Sequence, residues 1–184
     1  PITTNVGKTE IYGMELEGIL SPTDWLQFNL GLSALNAEYK EGTSALIDFL
    51  VDCADLPIPC DETNVFGPYT NGNIAGRTVI GTPETTVNAG AEVNYPVGLR
   101  GWSFLGRVDY SWQSKTYVDL ANAAYLPERN TLNLRLGLDN ANWSVQGFCN
   151  NVTNDDTPLY ALPPRDILGV PHIFTVNRNE RLCG

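Results

Sequence analysis

The residues of this chain that could do chemistry are few and scattered. His172 is its only histidine and stands beside Pro171. A catalytic imidazole needs a nucleophile or an orienting carboxylate at hand, and no motif supplies one. It reads as a polar loop residue. Four cysteines are present. Cys53 and Cys60 bracket Ala54-Asp55-Leu56-Pro57-Ile58-Pro59, whose two prolines suit a small disulfide-closed loop in an oxidising compartment. Cys149 and Cys183 are a second possible pair, with free thiols as the alternative. Asp52, Asp55, Asp61 and Glu62 crowd the first cysteine loop. Hard cations take carboxylate oxygens, but this spacing matches no dedicated calcium loop. The cluster therefore reads as a solvated acidic surface. No catalytic constellation, no metal and no cofactor is expected.

What does recur is alternation. Across residues 128–153, polar and apolar residues alternate on both sides of a turn at Asp139-Asn140-Ala141-Asn142. Leu132, Leu134, Leu136 and Leu138 share one parity; Thr131, Asn133, Arg135, Gly137 and Asp139 share the other. On the second arm Trp143, Val145, Gly147 and Cys149 oppose Ser144, Gln146, Phe148 and Asn150. Side chains alternate faces along a strand, so this is a β-hairpin with one apolar and one polar face. The same period runs through residues 8–20, 25–39, 86–95 and 102–113. Ser21-Pro22-Thr23-Asp24 and residues 96–101 read as turns between them. Residues 40–82 and 115–127 read as long loops, and 154–184 as an irregular, proline-bearing tail.

About six strands in hairpins result, with connections alternately short and long. An apolar face can line a soluble core or meet lipid, and period alone does not distinguish them. Three features favour lipid. The strands, at roughly ten to fifteen residues, are long for a soluble sheet. The short–long rhythm matches periplasmic turns and extracellular loops. The aromatics sort to the two strand ends as interfacial girdles do. Trp25, Tyr95, Trp102 and Trp143 lie beside the short turns, while Tyr12, Tyr39, Tyr110, Trp112 and Tyr117 lie toward the long loops.

A net charge of −10 argues against nucleic-acid binding, which needs a basic footprint. No apolar run is long enough for a transmembrane helix, which leaves a barrel open. The expected fold is all-β, an antiparallel transmembrane sheet forming a sector of a larger barrel. Its lumen-facing set is Glu15, Glu17, Gln27, Asn29, Asn88, Glu92, Arg107, Asp109, Asn133, Arg135, Asp139 and Gln146. Leu30, Leu132, Leu134, Val108 and Ala91 should face lipid. The girdle set is Trp25, Tyr95, Trp102, Trp143, Tyr110 and Trp112.

Particular motifs resemble a known family. Asn5-Val6-Gly7 followed by Gly13-Met14-Glu15-Leu16-Glu17 resembles a stretch near the C-terminal end of TonB-dependent outer-membrane receptors. Ser21-Pro22-Thr23-Asp24-Trp25-Leu26 is similar to the turn that follows it there, and Leu35-Asn36-Ala37-Glu38-Tyr39 to a strand end before a long loop. Trp143-Ser144-Val145 with Asn150-Asn151-Val152-Thr153-Asn154-Asp155 resembles the penultimate strand and its close. The resemblance implies a 22-stranded barrel around an N-terminal plug, in the outer membrane of a Gram-negative bacterium. It implies import of a scarce nutrient, of the siderophore, cobalamin or glycan class, driven by the TonB complex, and no enzymatic activity. Residues 1–184 would be a C-terminal segment of the barrel domain. The plug, the TonB-contacting segment and the final strand would lie outside the chain. Its partners would be the lipid bilayer, the rest of the same receptor, the TonB complex and a small-molecule or glycan ligand. The competing reading is a secreted β-sandwich adhesin or carbohydrate-binding module. That fold would bury Leu30, Leu134 and Val108 between two sheets.

Overall fold

The alternating stretches become long antiparallel strands paired in chain order. The computed structural model describes residues 7–43, 73–98, 101–122, 124–161, 165–167, 170–172, 175–178 and 180–184. The Cys53–Cys60 bridge and the acidic residues around it lie outside them. Strands β1 (Gly7–Thr23) and β2 (Leu26–Gly42) form the first hairpin. Its turn is only Asp24-Trp25, so Ser21-Pro22-Thr23 belongs to β1 and not to the turn. Proline is tolerated there because the register with β2 shifts between Leu20 and Thr23, the kind of ladder irregularity that admits it.

Strands β3 (Thr85–Pro96) and β4 (Ser103–Gln113) form the second hairpin. A short pair, β5 (Thr116–Tyr117) and β6 (Tyr125–Leu126), then stands within the stretch expected to be plain loop. Strands β7 (Arg129–Asp139) and β8 (Ser144–Asn150) form the third hairpin. Asn140 closes its turn: Oδ1 accepts from the N–H groups of Asn142 and Trp143, both at 2.9 Å. This is an Asx turn, the local geometry for which asparagine is suited.

The tail is more ordered than its sequence suggests. β9 (Pro158–Ala161) pairs with β12 (Thr175–Arg178), and β10 (Arg165–Ile167) with β11 (Val170–His172) inside it. His172 is thus in a strand, not a loop. These strands are too short to show sustained alternation, which is why periodicity passes over them. Finally β13 (Leu182–Cys183) lies antiparallel on β8.

The main sheet has seven strands in the order β1-β2-β3-β4-β7-β8-β13. It does not close on itself, and each long strand contacts only its sheet neighbours. Among the described residues no second layer covers it. Leu30 remains 44% exposed and Leu134 37%. A sandwich would bury both, so the adhesin architecture is not this fold.

Candidate functional site

Cross-strand partners share a face, so the register sorts the polar residues. Glu15 and Glu17 lie opposite Ser33 and Gly31, and Gln27 and Asn29 opposite Glu92 and Gly90. Asn88 lies between Gly31 and Ser111. Arg107 lies between Glu92 and Arg135, and Asp109 between Gly90 and Asn133. Asp139 is opposite Ser103 and Ser144, and Gln146 opposite Gly137. All twelve residues expected to face a lumen therefore stand on one face. Leu30, Ala91, Val108, Leu132 and Leu134 stand on the other.

At the centre of the polar face is an ion triad. Arg107 donates from Nε and Nη2 to the two Asp109 carboxylate oxygens, both at 2.8 Å, and from Nη1 to Glu92 at 2.8 Å. The planar guanidinium grips Asp109 with both arms and still reaches Glu92, which a lysine could not do. Arg135 sits across from Arg107 and beside Phe148. Among the described residues no salt bridge reaches Arg135, Glu15 or Glu17. The aromatic Phe148 breaks the pattern, standing on the polar face with Arg135.

The expected girdle residues occupy both strand ends. Trp25, in the first turn, packs edge-on against Tyr95 with ring centroids 5.5 Å apart. Trp102 and Trp143 stand just before β4 and β8, and Tyr110 and Trp112 lie toward the far end of β4. Tyr39 differs. It has the parity of Gln27 and Asn29 and is buried, packed with Ile74 and Ala121. The reason is local: residues 73–84 return alongside β2. Val79 N–H bonds Ala37 O at 3.0 Å, and Tyr39 N–H bonds Arg77 O at 2.9 Å.

The second long loop docks on that returning segment. Asn122, in the left-handed region at φ 55°, accepts from Thr78 N–H at 2.7 Å and donates to Thr78 O at 3.0 Å. Its side-chain amide thus takes the place of a strand partner. Arg77 donates to Ala121 O. Buried Asp119 holds the loop, accepting from Ala121 N–H at 2.8 Å and Ala124 N–H at 2.6 Å. Beside it Lys115 Nζ lies 5.0 Å from the Tyr117 ring and 5.6 Å from the Tyr125 ring. A hydrogen bond to Tyr117 holds this ammonium above its ordinary range. The periodicity contains none of these loop contacts. The one available signal was asparagine outside the strands, since Asn122, Asn151 and Asn154 all adopt positive φ.

At the β13 edge of the sheet the Cys149–Cys183 bond joins β8 to β13, which decides between the bonded and free states left open by sequence. The whole arrangement is a wall with a charged, hydrogen-bonding face, an apolar face and structured loops at one end. Among the described residues no nucleophile is held against a base.

Comparison with known proteins follows the same outline. A family model described as TonB dependent receptor-like, beta-barrel matches residues 1–152. Comparison with the curated proteins gives no match. Solved structures similar in fold include two receptors. The ferric yersiniabactin uptake receptor FyuA from Yersinia pestis is 15% identical with a TM-score of 0.69, over 97% of this chain and 23% of that one. BauA, the ferric preacinetobactin receptor from Acinetobacter baumannii, is 16% identical with a TM-score of 0.56, over 95% of this chain and 21% of that one. The chain thus spans less than a quarter of either relative.

Proposed function

The chain belongs to the TonB-dependent receptor family, as part of its β-barrel, and from that premise we propose that it forms a sector of the wall of an active nutrient importer. The family resides in the outer membrane of Gram-negative bacteria and comprises transport receptors, not enzymes. The observation that carries the proposal is the single-layer sheet, with exposed leucines on one face and the Arg107 triad on the other. A charge against hydrocarbon costs about 2–4 kcal/mol at mid-depth, so the apolar face is the lipid face. The twelve polar residues then line the lumen. Residues 1–184 are read as a segment near the C-terminal end of the barrel domain.

In this reading the plug domain, the remaining strands and the TonB complex are the chain's partners. The nutrient is of the siderophore, cobalamin or glycan class. Relatives named for ferric yersiniabactin and ferric preacinetobactin put ferric siderophores first in order of testing. The test is uptake by cells carrying the full-length receptor, offered each class in turn. Uptake of one class, lost on deleting either the receptor or TonB, is the expected result. Receptor present in the outer membrane with no uptake of any class would overturn the importer reading. Uptake indifferent to TonB would overturn the coupling.

A further inference from the structure

We propose that the Cys149–Cys183 bond is a register lock that forms before the chain enters the membrane. Phe148 and Gly184 exchange both backbone hydrogen bonds, at 2.7 Å and 3.0 Å. Cys149 and Cys183, one position along, are therefore a non-hydrogen-bonded couple, where strands approach most closely. On its other side Cys149 pairs with Leu134, which pairs with Val108 and through it with Ala91. The disulfide thus stands on the apolar face.

The polarity of β13 does not set its own register. Leu182 pairs with Asn150 and so stands on the polar face, 60% exposed. A slip of one residue would turn Leu182 to the apolar side, and hydrophobicity alone favours that slipped pairing. The covalent bond forbids it by holding Cys183 opposite Cys149.

Location also sets the timing. Disulfide exchange runs through the thiolate, and a thiolate is disfavoured in hydrocarbon, out of reach of a water-borne oxidant. The bond must form while both thiols are in water. One cysteine thiolate attacks the disulfide of a periplasmic thiol–disulfide oxidant, giving a mixed disulfide. The other thiolate then displaces the oxidant's sulfur. The oxidant leaves as its dithiol, which carries away the two electrons and, on its sulfurs, the two protons the cysteines gave up. Residues 149–183 are then a closed loop that presents β13 already seated on β8.

This inference rests on the assignment of the apolar face to lipid. Failure of that assignment would show separately, as folded receptor soluble without detergent. Two measurements on the full-length receptor test the lock itself. In cells depleted of the barrel-insertion machinery, the uninserted chain is alkylated and digested, and the peptides holding Cys149 and Cys183 are weighed. They should already be joined. Free thiols in the uninserted chain, or in the inserted barrel, would overturn the proposal. Second, wild type and C149S/C183S are refolded from urea into lipid vesicles and followed by heat-modifiable electrophoretic mobility. The variant should fold roughly tenfold more slowly. Equal rates would overturn the lock. The first measurement uses only the wild type, so a variant that fails to fold does not decide the matter.

Discussion

Asn151 shows what one side chain does where a long strand must stop. It is wholly buried, with φ at 51°, just after β8. Its Oδ1 accepts from Asp155 N–H at 3.0 Å and Thr153 Oγ1 at 3.2 Å, and its Nδ2 donates to Asp155 O at 2.9 Å. Its own N–H bonds Asn133 Oδ1 at 2.9 Å, tying the turn to β7. Asp155 completes the knot by accepting from Asn130 N–H at 2.7 Å and Thr157 N–H at 2.9 Å. Burial acts to raise the Asp155 carboxyl, but these hydrogen bonds and nearby Arg129 outweigh it and hold it below the usual range. A depressed folded value means stabilisation that is present above the unfolded pKa and lost as pH falls through the folded one. Amide-exchange protection at Asn130 and Thr157 should therefore persist at neutral pH and fade only below about pH 4. Asp155→Ala should remove it at every pH, at a cost on the order of 1–2 kcal/mol. Unchanged protection in that variant would show that the carboxylate is not the organising group.

At the scale of elements, strand pairing depends on where a side chain is missing. Gly13 in β1 lies against β2 so closely that an added Cβ would sit 2.4 Å from the Ala34 carbonyl oxygen and 2.9 Å from Leu35 Cδ1. A backbone oxygen in a ladder cannot swing aside. Gly18, five residues along the same strand, has nothing within 4 Å. Gly13→Ala should therefore cost about 1–3 kcal/mol, the range for forced overpacking. Gly18→Ala should stay within about 0.5 kcal/mol of wild type. The thermal midpoint of the detergent-folded receptor reports both, and equal midpoints would contradict the close approach at Gly13. The loops follow the same logic by other means. Asn122 supplies with one amide the donor and acceptor that a strand would give Thr78, so the loop docks without a ladder.

For the whole molecule the question is which face meets what. An open sheet leaves unpaired N–H and C=O groups along β1, and such an edge in hydrocarbon has nothing to bond. It needs neighbouring strands, as a barrel sector does. The faces can be read directly in the full-length receptor in lipid. A nitroxide on Leu134→Cys should be relaxed by oxygen, which concentrates in lipid. A nitroxide on Arg135→Cys should be relaxed by a water-soluble nickel chelate. Both labels reporting the same environment would mean that β7 does not separate lipid from lumen.

Much of this was legible from residue types in order. Alternation determined the six long strands, the partition of Leu134 from Arg135, and the hairpin pairing, because a period of two has one structural meaning. Glycine marked the second hairpin turn and asparagine the third, and the motif at Gly13-Met14-Glu15-Leu16-Glu17 carried the family resemblance. Tertiary structure decided what period does not encode. Ser21-Pro22-Thr23 joined β1 because the ladder with β2 shifts register between Leu20 and Thr23 and so admits proline, although local composition reads as a turn. Tyr39 is buried because residues 73–84, distant in sequence, came back to cover it. Arg107 chose Asp109 and Glu92 because register, not order along the chain, set them within reach. Cys149 met Cys183 across a separation of 34 residues because β13 returns to β8. Each of these depends on a contact between distant segments, and such contacts exist only once the chain has folded.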